Sequence, residues 1–419
     1  MSSLPRRQFI SSLTLAGAAV ALSPRAFAIG GTKPDKLKVG VIGCGGRGTG
    51  ALNDFREAAK ILGIPVEVTA LGDAFASQAV ALGAKVGVAP ARCFGGFDSY
   101  QKVIASGCDY VIMATPPAFR PIHFAAAVDA GKHCFIEKPV AVDPAGARSV
   151  IATGVKAQSK GLAVVAGTQR RHAAEYQRNK ALIDAGAIGA IRGGVVQWNG
   201  VVPWTKRRNA GESDADYMAR NWVNFTEMSG DHIVEQHVHN LDVAVWFLGR
   251  LPVSAVGFGG RARRETGNQF DFFSVDYDFG DGVHIHSQCR QISGTWSRVG
   301  EFFTGAEGTA FGGGKIAGKA IQVAAIKLEA ENPYVQEHVD LIKGVIAGKP
   351  MNEAKQVAES TAVAIMGRMS SYSGELVRWS DMMEDTQSPF YQLTCKPTAL
   401  DFERNTVTLA PEVAAVPGK

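Results

Sequence analysis

A doubly wound α/β domain, followed by an α+β domain on a large, mostly antiparallel open sheet, is the fold class that this sequence predicts. Three observations predict it. Short runs of branched residues alternate with helix-like stretches between residues 35 and 168. A glycine-rich turn follows the first of these runs. From residue 190 onward, extended segments of alternating polarity take over. The chain's 419 residues exceed what one core usually holds. It divides into 1–28, 35–168, 169–400 and a tail, 401–419, with no clear pattern.

Composition fits an ordinary globular enzyme, with 46% hydrophobic and 20% charged residues. The net charge is +5, and the first 28 residues hold three arginines and no acid, so their removal leaves +2. Lys206-Arg207-Arg208 and Arg261 with Arg263-Arg264 are short clusters on solvated loops, too small for a nucleic-acid footprint. The six cysteines include no CxxC pair, so the expectation is reduced thiols without a disulfide framework.

The first segment is an address. Pro5-Arg6-Arg7-Gln8-Phe9-Ile10 opens with twin arginines, an apolar stretch runs to Leu22, and Ala26-Phe27-Ala28 supplies an A-x-A cleavage pattern. The stretch is too short and too rich in small residues to span a membrane. This predicts a signal peptide for the twin-arginine (Tat) export machinery, which passes folded proteins, and a periplasmic or extracytoplasmic mature chain with no stable membrane span.

Leu37–Ile42 reads as a buried strand and runs into Gly43-Cys44-Gly45-Gly46-Arg47-Gly48, a GxGxxG turn that opens a helix from Thr49. In a Rossmann-type domain Gly43 permits the tight turn, Gly45 lets backbone approach a pyrophosphate, and Gly48 lets helix and strand pack closely. The helix N-terminus then faces the phosphates. Val66–Leu71 is the second strand, and Asp73 beyond it is placed to accept hydrogen bonds from a ribose. Its charge repels a 2′-phosphate, which favours NAD over NADP; the alternative for Asp73 is a helix N-cap. Asp109–Ala114 leads into Thr115-Pro116-Pro117, Lys132–Ile136 into Glu137-Lys138-Pro139, and Ala163–Thr168 into Gln169-Arg170-Arg171-His172. Ligands bind at such carboxyl ends of strands. Lys138 ends a buried strand beside a proline, where its ammonium can polarise a hydroxyl or carbonyl oxygen.

GCGGRG at 43–48, ATPP at 114–117, AGKHCFIEKP at 130–139 and the signal peptide together resemble the Gfo/Idh/MocA family, which includes glucose–fructose oxidoreductase and inositol dehydrogenase. The resemblance covers nearly the whole mature chain. It implies that Lys138 contacts the substrate hydroxyl and the nicotinamide region, that Thr115 and Pro116 flank the nicotinamide ribose, and that Glu137 helps hold the cofactor. It also implies Arg171 and His172 as substrate contacts, although a plain loop reads equally well. The family often dimerises through an open sheet face, so a homo-oligomer, dimer or tetramer, is expected.

In the second half, Ile191–Asn199, Val253–Gly260, Phe272–Phe279 and Val283–Arg290 read as strands, with a hairpin at Gly280-Asp281-Gly282. A helix is expected over about Glu353–Ser371, ended by Gly374, with a strand-like Leu376–Trp379 after it. The stretch from Gly230 to Asp242 reads as one helix, with Glu235, His239 and Asp242 on one face. The family's pattern there is G-G-x-x-x-D-x-x-x-H-x-x-D. Gly230, His239 and Asp242 match it; Asp231 replaces the second glycine and Glu235 the usual aspartate. His239 is the candidate general base, because imidazole titrates near neutrality. Glu235 either orients the imidazole or binds a sugar hydroxyl, and Asp242 completes the face as a candidate substrate contact. Trp198, Trp204 and Trp222 are either core or platforms for a sugar ring, Trp204 foremost. HExxH is absent and no metal is expected.

The resulting expectation is an exported NAD-dependent oxidoreductase that moves hydride between nicotinamide and a hydroxyl-bearing carbon of a sugar, polyol or glycoside. Its cofactor is expected to be tightly bound. The alternative is an NAD-dependent glycosidase working by oxidation, elimination and reduction. The EKP lysine counts against that alternative.

Overall fold

The computed structural model of the chain describes residues 33–418; the signal peptide read at 1–28 lies outside them. Six parallel strands form the first sheet: β1 (Leu37–Ile42), β2 (Val66–Asp73), β3 (Cys93–Gly95), β4 (Tyr110–Met113), β5 (His133–Ile136) and β6 (Val164–Ala166). Their order is β3-β2-β1-β4-β5-β6, the doubly wound arrangement. The central strands are mostly apolar because helices cover both faces; β4 and β5 are buried throughout. The sequence reading missed β3, which has three residues and is only half-buried.

Eight strands form the second sheet: β7 (Ile191–Gly200), β8 (Ser254–Gly260), β9 (Phe272–Asp278), β10 (His284–Gln291), β11 (Arg298–Gly305), β12 (Thr309–Phe311), β13 (Ile316–Ala317) and β14 (Val377–Arg378). The order is β13-β12-β11-β7-β10-β9-β8-β14, antiparallel except where β10 runs parallel to β7. Phe273, Val275 and Tyr277 alternate inward along β9, as the period of two requires.

The inner face of this sheet is covered by the helix Ala354–Ser373. The Tyr277 hydroxyl donates to the Val363 carbonyl at 3.0 Å. Contact is close because Gly257 faces the helix: a Cβ there would lie 2.2 Å from Ser371 Oγ and 3.0 Å from the Gly367 carbonyl oxygen.

The chain also returns to the first domain. In the helix Pro333–Ile346, Val335, Val339, Leu341 and Ile342 share a core with Val39, Val41 and Phe55. The tail, unreadable in the sequence, packs as well. Phe402 lies against Phe97 and Phe119 with ring centroids 5.0 and 5.1 Å apart, and just before the tail the Arg148 guanidinium sits 3.4 Å over the Tyr391 ring. All six cysteines are free thiols.

The packing of β8 yields a stability prediction. Gly257→Ala overfills the helix–sheet contact and lowers unfolding free energy by about 1–3 kcal/mol, read from denaturant melts. An unchanged midpoint contradicts this reading of the contact.

Candidate functional site

The glycine turn is built as the chemistry of a dinucleotide demands. Gly43 has φ +90, and a Cβ on it would lie 2.7–2.8 Å from backbone atoms of Ala114 and Thr115. A Cβ on Gly48 would lie 1.7 Å from the Gly43 carbonyl oxygen, so only glycine lets the helix Gly46–Ile61 reach the strand. Gly45 and Gly46 face open space, with no atom within 4 Å of where a Cβ would stand. Gly45 is also the helix N-cap and has no side chain to satisfy the first-turn N–H groups. Free donors beside open room fit a pyrophosphate.

The cleft over this turn has a volume of about 420 Å³, and Gly43, Gly45, Gly46, Asp73, Thr115 and Pro116 are in its lining. Asp73 is not the cap of the next helix, whose N-cap is Phe75. Its carboxylate accepts from Cys44 N at 2.7 Å and Phe75 N at 2.9 Å, which fixes it at the end of β2. Burial holds its pKa above the ordinary value, against the pull of those two bonds. Thr115 Oγ1 lies 3.3 Å from His123 Nδ1. Burial, reinforced by the charge of Arg120, pushes the pKa of His123 down to about 3, so this ring is neutral.

Lys138, Glu235 and His239 come together where the two domains meet. The Lys138 ammonium donates to the Glu235 carbonyl oxygen at 2.6 Å and to its carboxylate at 3.3 Å. The stretch read as one helix is broken: Gln236 and His237 separate His232–Glu235 from Val238–Leu248. His237 turns inward and pairs with Ser287 Oγ at 2.7 Å. The Glu235 carboxylate pairs with Lys138, and among the described residues no hydrogen bond joins it to the His239 ring. The His239 ring stacks on Trp198, with centroids 5.7 Å apart. Burial first, and then the charges of Lys138 and Arg170, hold its pKa well below the ordinary histidine value. Among the described residues its side chain makes no hydrogen bond, so a neutral imidazole is left free to take a proton.

Residues 37–167 match the model of the oxidoreductase family, NAD-binding Rossmann fold, and residues 176–310 that of the GFO/IDH/MocA C-terminal domain. The chain belongs to the Gfo/Idh/MocA family. It is 24% identical over 217 residues to the scyllo-inositol 2-dehydrogenase (NAD(+)) of Bacillus subtilis, covering 52% of this chain and 56% of that protein. It is 29% identical over 255 residues to the inositol 2-dehydrogenase of Burkholderia cenocepacia, covering 59% and 66%. It is 27% identical over 177 residues to the 2,7-anhydro-N-acetylneuraminate hydratase of Escherichia coli, covering 42% and 43%. The chain thus spans less than two thirds of these relatives' lengths. Its fold superposes on the WlbA dehydrogenase from Bordetella pertussis, solved in complex with NADH and UDP-GlcNAcA, with a TM-score of 0.64 at 18% identity, covering 82% of this chain and 98% of that one.

The family's second glycine position explains itself here. Asp231 holds φ 70 and ψ 165, a region that glycine adopts freely and other residues at a cost. Its buried carboxylate compensates by accepting from Phe270 N at 2.9 Å and the Tyr372 hydroxyl at 2.6 Å.

Four residues expected to touch substrate, Arg171, Asp242, His172 and Trp204, are engaged elsewhere. Arg171 is bidentate to Asp242, at 2.8 and 2.9 Å, and Ser360 Oγ donates to the same carboxylate at 2.7 Å. His172 is buried between Asp340, 2.7 Å from Nδ1, and Glu353, 3.3 Å from Nε2. Trp204, expected on the sugar, lines the nucleotide cleft. Cys44 turns its thiol inward beneath the turn, 3.4 Å from the Gly72 carbonyl. Arg47 pairs with Asp54 at 3.1 Å, Glu337 at 3.4 Å and Glu137. Glu137 therefore acts on the cofactor loop through Arg47, from a buried position.

Sequence reasoning missed Arg170, which is one residue from the predicted Arg171. Its guanidinium lies 5.8 Å from the Trp198 ring and pairs with buried Glu301. It also missed Arg120, whose buried guanidinium donates to the Pro139 carbonyl behind Lys138. No local signal marks either residue.

The His172 site sets a pH dependence. Burial alone lowers the His172 pKa, but the charge of Glu353 and the bond with Asp340 outweigh it and push it up to about 10. A group raised in the folded state stabilises fully below its unfolded value, and that contribution is lost as pH rises through the folded value. Stability therefore falls progressively from about pH 6.5 toward about pH 10. His172→Gln is less stable at pH 6 and flattens this alkaline loss; parallel pH–stability curves for the two proteins contradict the assignment.

Proposed function

We propose that this protein oxidises a hydroxyl-bearing carbon of a sugar, polyol or glycoside, or reduces the matching ketone, with NAD as the hydride carrier. The observation that carries the proposal is the meeting of Lys138 and a neutral, unbonded His239 at the domain junction, with the glycine turn and Asp73 in the same enzyme. The nicotinamide supplies the hydride chemistry when it is bound. In the direction of oxidation, His239 accepts the substrate hydroxyl proton. Lys138 donates a hydrogen bond to the same oxygen and stabilises the negative charge that develops there. Glu235 holds the ammonium in place. Trp198 and Arg170 border this site and offer a flat apolar face and a cation to a polyhydroxylated ring.

The reading extends to context. The twin arginines at Arg6-Arg7 and the Ala26-Phe27-Ala28 pattern support Tat export of the folded protein. Where free nucleotide is scarce, a retained cofactor regenerated by a second substrate fits that route. A homo-oligomer is also part of the proposal.

The test is absorbance at 340 nm during incubation with NAD and a panel of sugars and polyols. A net change supports the dehydrogenase; release of a leaving group without net change supports the glycosidase instead.

Two variants refine the reading. His239→Asn lowers kcat by about 10²–10⁴-fold. In the wild type the acid limb of kcat/KM lies below about pH 6.5, because a base with a depressed pKa stays neutral as pH falls through the ordinary histidine range. An acid limb at or above that value contradicts the role. Asp73→Ser weakens NAD by about ten- to a hundredfold and narrows the preference over NADP. Unchanged affinity for both nucleotides contradicts a ribose contact.

A further inference from the structure

Between β7 and the helix Asp214–Arg220, residues 201–210 form neither helix nor strand, yet they are held in place. Asn221 Oδ1 accepts from Lys206 N at 2.8 Å, Asn224 Nδ2 donates to the Trp204 carbonyl at 3.1 Å, and Arg220 donates to the Arg207 carbonyl at 2.6 Å. Asn221 and Asn224 are fully buried, so the strap is fixed from within. It carries Trp204 and Lys206 from the second domain into the lining of the cleft that also contains Gly45 and Asp73. The Trp204 ring stands nearly perpendicular to that of Trp222, with centroids 6.2 Å apart, and the Lys206 ammonium lies 5.9 Å from the Trp204 ring.

The charges in this lining are unequal in availability. Asp73 is bound by two backbone N–H groups. Arg220 is held by both oxygens of Glu212, at 2.6 Å each. Among the described residues no carboxylate pairs with the Lys206 ammonium. One uncommitted cation thus shares a cleft with an uncapped helix N-terminus and a turn that leaves room beside Gly45 and Gly46. A phosphate diester answers both features.

We propose that residues 201–210 are a clasp for the pyrophosphate half of the dinucleotide. Lys206 supplies the counter-charge from the second domain, and Trp204 covers the bound nucleotide from solvent. The clasp rests on the NAD-binding reading above and adds that release of the cofactor requires this strap to move. Retention is then a property of the second domain as much as of the glycine turn.

The experiment uses the full mature chain and two probes, NAD and ADP-ribose, which lacks the nicotinamide. Release rates are read by stopped-flow displacement and affinities by calorimetry at several salt concentrations. Lys206→Gln is expected to speed release and weaken both probes by about tenfold, and to reduce the salt dependence of binding. Trp204→Ala is expected to speed release of both. If the wild type binds neither probe, the NAD-binding reading itself falls. If it binds both and Lys206→Gln leaves release rate and salt slope unchanged, the clasp alone falls. A Trp204→Ala variant with raised sugar KM and unaltered nucleotide release also overturns the clasp and returns Trp204 to the substrate.

Discussion

The hydrogen bond from the Lys138 ammonium to the Glu235 carbonyl, 2.6 Å long, is the contact on which the active geometry depends. An ammonium that is largely withdrawn from water must be paired. Lys138 finds its partners only across the domain junction, so the docking of the second domain and the placement of this lysine are one event. The acceptor exists because the helix breaks. Inside a continuous helix the Glu235 carbonyl would be bound to the N–H of residue 239. With Gln236 and His237 interrupting the helix, that carbonyl is free to take Lys138, and Lys138 in turn helps to hold His239 neutral. One local irregularity thus supplies an acceptor and, through Lys138, adds to the burial that keeps His239 neutral.

A second layer of polar contacts lies beneath. Arg47, inside the glycine turn, reaches Glu137, which precedes Lys138, and Glu337 on the helix Pro333–Ile346. Burial, aided by the nearby charge of Glu137, raises the Glu337 pKa well above the usual carboxylate range. The arginine therefore pairs with Asp54 and Glu137, and with a Glu337 whose charged form burial disfavours. It ties the phosphate-binding turn to the strand end that presents the lysine.

Much of this was legible in the sequence, and the reasons are physical. Parallel strands buried on both faces are short runs rich in apolar and branched residues, so β1, β2, β4 and β5 stand out. Gly43 and Gly48 are each needed for a steric reason that no other residue meets, and Gly45 leaves open room beside the turn. The strands β8 to β10 show their period of two. What escaped depends on distant partners. The helix break at Gln236-His237 has no glycine or proline to mark it; the pull of Ser287 on His237 accompanies it. Arg170 and Arg171 are neighbours in a 3-10 turn whose side chains diverge, one toward Glu301 and one toward Asp242. Periodicity has no power to choose between adjacent residues there. Trp204 lies on an irregular strap, where no repeat indicates which cavity the ring enters.

The shared core has a consequence for how the molecule is made. Val39, Val41 and Phe55, among the first described residues, complete their packing only with Val335, Val339 and Ile342. A ribosome delivers these two halves of one interior nearly three hundred residues apart. The nucleotide-binding sheet therefore emerges early with part of its covering missing, and its apolar flank waits for the later helix. The chain's two domains are consecutive in sequence but not in assembly: the first is finished by a helix made after most of the second domain's sheet.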